Sequence, residues 1–118
     1  MLRGPYCDED ARVVGRRVPS YAVVWKQDGG LVVPGQLRLE PSGILLLGAV
    51  AGRPEKHTLP YQSLASVRLG HGPDERLRGH PSLLVELRSL ERYLIATIGG
   101  FGVVTELADQ IAAAMTLA

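Results

Sequence analysis

The sequence is poor in the residues that cross-link a chain or build a metal centre. Among 118 residues it has one cysteine, Cys7, and three histidines. One thiol forms neither an internal disulfide nor a thiolate cluster, and a lone cysteine fits a reducing compartment. His71, Asp74, Glu75 and His80 share one polar loop, but their spacing matches no known ligand pattern. We therefore expect no bound metal.

An excess of charge of one sign and long apolar runs are also missing. Thirteen Lys+Arg against twelve Asp+Glu leave a net charge of +1, and aromatic residues make up 5% of the chain. Nucleic-acid-binding domains are typically far more basic, so we expect no nucleic-acid partner. The longest run of apolar residues and glycine, 44–52, is much shorter than the roughly 20 residues that span a bilayer. Arg3 and the acidic residues 8–10 interrupt any apolar signal segment, which predicts a cytoplasmic chain.

Catalytic signatures are missing as well. The sequence has no nucleophile elbow, phosphate-binding loop or His-Glu-x-x-His pair. Gly100 and Gly102 partly match a dinucleotide fingerprint, but Thr105 stands at its third glycine position and no further strand follows. Cys7 and the serines have no partner for nucleophilic catalysis, and His57 is predicted at an exposed strand end. We expect neither an enzyme nor a cofactor.

What the sequence does contain is a series of short β-forming runs separated by turn signals. Strands are predicted over 20–26, 31–40, 44–50, 56–59 and 64–69. In the last of these runs Ala65, Val67 and Leu69 alternate with polar residues, and the alternation predicts that these three face inward. Residues 70–82, rich in glycine and proline, are predicted to form a long polar loop.

Residues 83–98 fit two patterns. Period two predicts two strands, the first with Leu83, Val85 and Leu87 facing inward. The helical period instead gives an unbroken apolar stripe from Leu83 to Ile98. The β-forming residues favour strands, whereas the absence of Gly, Asn or Asp at 89–91 argues against a turn there. We favour two strands, and the helix stays open as the alternative.

The last segment, 103–117, is predicted to be an amphipathic helix. Its apolar face is made by residues at helical spacing: Val104, Leu107, Ala108, Ile111 and Met115. Residues 1–19 show no clear period and are predicted to be a flexible or loosely docked arm, followed by a single domain over 20–118. We therefore predict a mainly β fold of about seven antiparallel strands, a barrel or two packed sheets, with the helix covering one end.

This order of elements resembles a pleckstrin-homology-like (PH-like) barrel. Residues 35–39 (GQLRL) and 43–46 (GILL) resemble the second and third strands of GRAM and bacterial PH-like domains, and 59–67 (LPYQSLASV) is similar to the segment that follows them. The resemblance covers about 20–117. The closing helix lacks the tryptophan of eukaryotic members, since Trp25 lies in the first strand. The chain therefore looks more like the small bacterial members of uncharacterised function.

The resemblance also implies where a ligand would bind. In this family three loops surround the open mouth of the barrel, and phosphoinositide-binding members carry a basic motif on the first two strands. The matching basic residues here are Lys26, Arg38, Arg53, Lys56, Arg88 and Arg92. Gln36 replaces one cation of the motif, and nearby Asp28, Glu55 and Glu91 reduce the excess at the mouth to about two charges.

These observations favour a non-enzymatic module that binds protein along a sheet edge, or through the helix and its adjoining loops. The first strand has apolar residues on both faces: Tyr21, Val23 and Trp25 on one, Ala22 and Val24 on the other. We expect the second face to be covered by residues 1–19 or by a second copy, which predicts a homodimer. The alternative is a peripheral adaptor at the inner face of the membrane that binds anionic lipid headgroups through the basic mouth.

Overall fold

The computed structural model describes residues 19–70, 76–78, 80–99 and 101–117. The predicted arm, up to residue 18, and Cys7 lie outside the described residues. The elements are β1 (Ser20–Gln27), β2 (Val33–Leu39), β3 (Gly43–Val50), β4 (Arg53–Pro60), a 3₁₀ turn (Tyr61–Ser63), β5 (Leu64–Leu69), β6 (Arg76–Leu77), β7 (His80–Leu87), β8 (Arg92–Thr97) and α1 (Phe101–Leu117).

The strands form one antiparallel sheet with β1 at its centre. The order is β4-β3-β2-β1-β8-β7-β5, and the short β6 pairs with β7. The predicted fold class, mainly β with about seven antiparallel strands and one C-terminal helix, is confirmed. Within the described part of the chain no ladder joins β4 to β5, so the sheet is open and the word barrel describes it only loosely.

Residues 83–98 form two strands, as favoured, and the helical alternative is wrong. The loop between β7 and β8, residues 88–91, closes with a hydrogen bond from the Leu87 N–H to the Glu91 carbonyl at 2.8 Å. Loops of this kind need a residue in the left-handed region, which glycine usually supplies. Here Leu90 adopts it, with φ 77°. The turn therefore forms without the residue types whose absence argued against it.

Several other boundaries differ from the predictions by one to three residues, among them the start of β2 at Val33 rather than at 31. β4 begins at Arg53, earlier than the predicted start at 56, because Ala51 and Gly52 form a two-residue turn with φ values of 52° and 79°. Part of the predicted loop 70–82 is strand instead, because Arg76–Leu77 pairs with the beginning of β7.

The inner face of the sheet and the helix share one apolar core. Trp25, Leu37 and Ile95 on the central strands are at most 1% exposed. Val104, Leu107 and Ile111 of α1 are fully buried against them, and Ala108 and Met115 are partly buried, which confirms the predicted apolar face of the helix. Burial of each large side chain stabilises the fold by about 1.5–3 kcal/mol.

A hydrogen bond joins the first part of β1 to the helix. The Tyr21 hydroxyl donates to the Glu106 carboxylate at 3.0 Å. Burial, together with this bond and the negative charge of Glu106, raises the pKa of Tyr21 to about 12. The helix therefore packs at the end of the sheet where β1 begins.

The second face of β1 is covered in part by the chain itself. Val24 is 7% exposed and packs with Leu77 of β6 and Ala96 of β8. Ala22, on the same face, is exposed. Ala22 and Val24 both motivated the homodimer prediction. Of these two residues, Val24 is covered by β6, a strand within the predicted loop 70–82.

In the hairpin of β2 and β3, a cross-strand pair of glycines, Gly35 and Gly48, allows the two backbones to approach closely. A Cβ atom at Gly35 would overlap the Leu47 carbonyl and lie 2.6 Å from the Cα of Gly48. Both of these atoms belong to the backbone, so they cannot move aside as a side chain can. The close approach therefore requires glycine at position 35.

We predict that Gly35→Ala lowers the free energy of unfolding by about 2 kcal/mol or more, because the backbones of β2 and β3 must separate. Gly102→Ala is the matched control, since an added Cβ there meets no atom within 4 Å and alanine favours the helix. Denaturant unfolding of both variants provides the measurement. Equal unfolding midpoints for Gly35→Ala and the wild-type chain would contradict the close approach.

Candidate functional site

The two edge strands of the sheet differ in how well they are protected against pairing. β4 carries Pro54 and Pro60, which lack the N–H that a neighbouring strand would need. It also carries Arg53, Glu55 and Lys56, and charged residues at an edge disfavour pairing with another chain. β4 is therefore a blocked edge.

β5 is less protected in both respects. Its sequence, LASVRL, contains no proline and one charged residue, Arg68. On its inner side β5 pairs with β7, and the ladder continues to Gly70, whose N–H donates to the Ser82 carbonyl at 2.8 Å. Backbone groups alternate in an antiparallel ladder, so the N–H and C=O groups of Val67 and Leu69 point away from β7. They lie on the outer edge of the sheet.

The helix lies beside this edge and adds apolar side chains to it. α1 contacts β5, and Val67 and Leu69 of the strand and Ala108 and Met115 of the helix are partly buried against the common core. We call these four residues the β5–α1 surface. The prediction that Ala65 also faces inward is wrong: it is exposed, because the register shifts between Leu64 and Ser66.

A second candidate site lies at the other end of the sheet, where β1 ends. The Asp28 N–H donates to the Arg92 carbonyl at 2.8 Å, and the Gln27 amide donates to the Glu91 carboxylate at 2.8 Å. These bonds hold the loop after β1 against the loop between β7 and β8. The turn between β3 and β4 lies at the same end, and we call the three loops together the mouth.

The structure brings most of the predicted basic residues to the mouth or to the strands that flank it. Lys26 is half-buried on β1 opposite Leu94, and Arg53 and Lys56 are exposed on β4. The guanidinium of Arg92 lies 3.5 Å from the Asp28 carboxylate, which offsets its charge.

The remaining two predicted basic residues are directed elsewhere. Arg88, in the loop between β7 and β8, donates from its Nε to the Gln62 carbonyl at 2.9 Å. Arg38 lies opposite Ser20, at the beginning of β1. Six residues of strand separate Ser20 from Lys26, which is roughly 20 Å. The structure therefore does not bring Arg38 to the mouth, because the β1–β2 hairpin places it at the end of the sheet where the helix packs.

Two exposed leucines lie at the mouth, and the sequence pattern did not predict either of them. Leu31 is 72% exposed in the loop after β1, and Leu90 is 87% exposed between β7 and β8. Leu31 was predicted to begin a strand, but β2 starts only at Val33, and Leu90 lies where the residue types argued against a turn. Leu90 also adopts a backbone conformation that costs a non-glycine residue about 1–2 kcal/mol.

A cavity of about 190 Å³ opens between the loop after β1 and the neighbouring ends of β3 and β4. We call it the mouth cavity, and its lining residues are Trp25, Gln27, Gly30, Leu31, Val33, Val50, Glu55 and His57. His57 is only 28% exposed, so the prediction of an exposed strand-end histidine is wrong. Its ring contacts Trp25 edge to face, because residues 55, 57 and 59 of β4 face the core side.

The polar groups beside the cavity form a short chain of contacts. His57 Nδ1 lies 2.7 Å from the Tyr93 hydroxyl, and His57 Nε2 lies 3.6 Å from the Glu55 carboxylate. Burial, with a smaller effect of the Glu91 charge, raises the pKa of Tyr93. Tyr93 therefore stays protonated at neutral pH and keeps its proton available for this contact.

Neither a metal site nor a membrane span is found in the described part of the chain. No three His, Cys, Asp or Glu residues cluster there as ligands would, and its helix is too short and too polar to cross a bilayer. Three of the four loop residues considered as metal ligands, His71, Asp74 and Glu75, lie outside the described residues.

Comparison with known proteins supports the fold and leaves the function open. No protein-family model and no curated protein matches the sequence. Among solved structures, the C-terminal domain of an unknown protein from Leishmania infantum is similar, with a TM-score of 0.61 and 12% sequence identity. The match covers 80% of this chain and 82% of that one. At this level of identity the likeness concerns the fold alone.

Proposed function

We propose that this chain is a non-enzymatic, PH-like interaction module that binds a protein partner by adding one strand of that partner to the edge of β5. An antiparallel sheet of seven strands followed by one packed helix is the arrangement that the resemblance to PH-like domains implies. Proteins of this architecture bind ligands in several ways, so the choice among them rests on the surface of this chain.

The contrast between the two edges carries the proposal. Soluble sheet proteins block exposed edges with proline, charge or a short strand. β4 is blocked in this way, whereas β5 presents the backbone groups of Val67 and Leu69 on its outer side. An unprotected edge beside a protected one is expected where pairing is used rather than avoided.

The β5–α1 surface supplies the side-chain contacts that such binding needs. Backbone pairing gives affinity with little sequence preference, and pockets for alternate side chains give specificity. Ala108 and Met115 are two helical turns apart on the helix that contacts β5, and Met adapts its shape to different partners. The partner is therefore expected to present an extended segment with apolar residues at alternate positions.

Val67→Pro tests this proposal directly. Proline removes the N–H that points away from β7 and leaves the ladder to β7 in place, as proline on an edge strand does. We expect the variant to fold and to bind the partner about tenfold more weakly or worse, because one backbone hydrogen bond is lost and the ring obstructs the approaching strand. The partner is captured from the native organism with the tagged wild-type chain, and its affinity for each variant is then measured by calorimetry.

Val67→Thr is the matched control, because threonine keeps both the N–H and the branched Cβ. It should bind the partner like the wild type. Sedimentation of the isolated chains shows whether the partner is a second copy, since self-association would then be present in the wild type and lost in Val67→Pro. Unchanged affinity of the captured partner for Val67→Pro would contradict strand addition at β5.

The exposed leucines favour a second candidate function, the binding of an anionic membrane surface by the mouth. Leu31 and Leu90 project from adjoining loops, and Arg53 and Lys56 are exposed on β4, which flanks the mouth. Apolar loop tips can enter the headgroup region while basic residues contact anionic lipid, each basic residue contributing about 1 kcal/mol. Membrane contact would give a function to a leucine that stands in a strained conformation.

Leu90→Gly separates the backbone strain at this position from the contribution of the side chain to membrane binding. Glycine accepts φ 77° without strain, so the free energy of unfolding should stay the same or rise by up to about 1 kcal/mol. Co-sedimentation with anionic vesicles should fall about tenfold, because the leucine side chain that would be buried in the membrane is lost. Ile98→Gly is the control, since Ile98 is 65% exposed at the opposite end of β8. If Leu90→Gly binds vesicles as the wild type does, or if the wild type stays in the supernatant at low salt, this candidate is eliminated.

A further inference from the structure

The mouth cavity combines apolar walls with a single charged group. Val33 is 4% exposed, Val50 is partly buried against the core, and Leu31 extends over the rim. Glu55 is the one charged residue among those that line it. Lys56 projects from the opposite face of β4, because side chains alternate along a strand.

The carboxylate of Glu55 retains its capacity to accept hydrogen bonds. Its contact with His57 Nε2, at 3.6 Å, is longer than a hydrogen bond. The other imidazole nitrogen of His57, Nδ1, contacts the Tyr93 hydroxyl. Among the described residues no donor lies within hydrogen-bond distance of Glu55. A carboxylate accepts several hydrogen bonds, so a ligand in the cavity would meet unused acceptors.

This combination selects among ligand classes. An anion would be repelled by Glu55. An uncharged apolar ligand would remove water from the carboxylate without replacing its hydrogen bonds, which is unfavourable. A cation at the end of an alkyl chain satisfies both parts of the cavity, because its stem can lie on apolar walls while its charged head meets the carboxylate.

We propose that the mouth cavity binds a primary alkylammonium group of the length of a lysine side chain. The stem lies between Val33 and Val50 under Leu31, and the ammonium donates hydrogen bonds to Glu55. The ligand is either a lysine side chain of a protein partner or a free alkylamine, which share this chemistry. The site is separate from the β5–α1 surface, so either proposal can fail without the other.

The fluorescence of Trp25 reports on the cavity, because Trp25 lines it and is the only tryptophan of the chain. The probes are N-acetyl-lysine methylamide, butylamine and N-acetyl-norleucine methylamide, the last having the stem without the charge. We expect a saturable change with the lysine probe and binding about tenfold weaker or worse with norleucine. Butylamine that binds as tightly as the lysine probe would identify a free amine as the ligand, and weaker binding a protein side chain.

Glu55→Gln should abolish binding of the lysine probe, and Asp109→Asn, the same loss of a carboxylate at an exposed position of α1, should leave it unaltered. Equal binding of the lysine and norleucine probes to the wild-type chain would overturn the proposal, and this comparison does not depend on the folding of any variant. The proposal is also overturned if Glu55→Gln binds the lysine probe like the wild type, or if no probe gives a saturable change.

Discussion

The position of Trp25 is the constraint on which the rest of the structure depends. Trp25 lies on the central strand β1, paired with Val33 of β2 and with Ile95 of β8. Its indole N–H donates to the Leu47 carbonyl of β3 at 3.1 Å, and its ring contacts His57 of β4. Through its backbone and its side chain together, this one residue therefore contacts four other strands, which requires the sheet to curve around it.

This curvature explains where the candidate sites lie. A sheet that is curved but not closed has two edges, and in this chain one is blocked by proline and charge while the other is not. It also has two ends: α1 fills the end at which β1 begins, and the mouth remains at the other. The proposed protein-binding edge and the mouth cavity are thus separate consequences of the same incomplete closure.

The sequence predicted the elements that local pattern determines. β5 has the predicted bounds, 64–69, and the buried face of α1 follows from helical spacing. Backbone details that depend on distant contacts were not predictable. Leu90 adopts a positive φ because its hairpin requires it, and Ala65 is exposed because a bulge shifts β5 against β7. Arg38 is at the far end from the mouth because strand register, which composition does not encode, determines its neighbours.

The proposal that β5 receives a partner strand requires the outward backbone groups of β5 to be accessible, and hydrogen exchange measures this accessibility directly. Amide hydrogen exchange, followed residue by residue in the dilute isolated chain, distinguishes N–H groups bonded to β7 from those on the outer edge. We expect fast exchange at Val67 and Leu69 and slow exchange at Ser66 and Arg68, in the alternation of the ladder. Slow exchange at all four positions would show that the edge is already covered, and would contradict the proposal that β5 receives a partner strand.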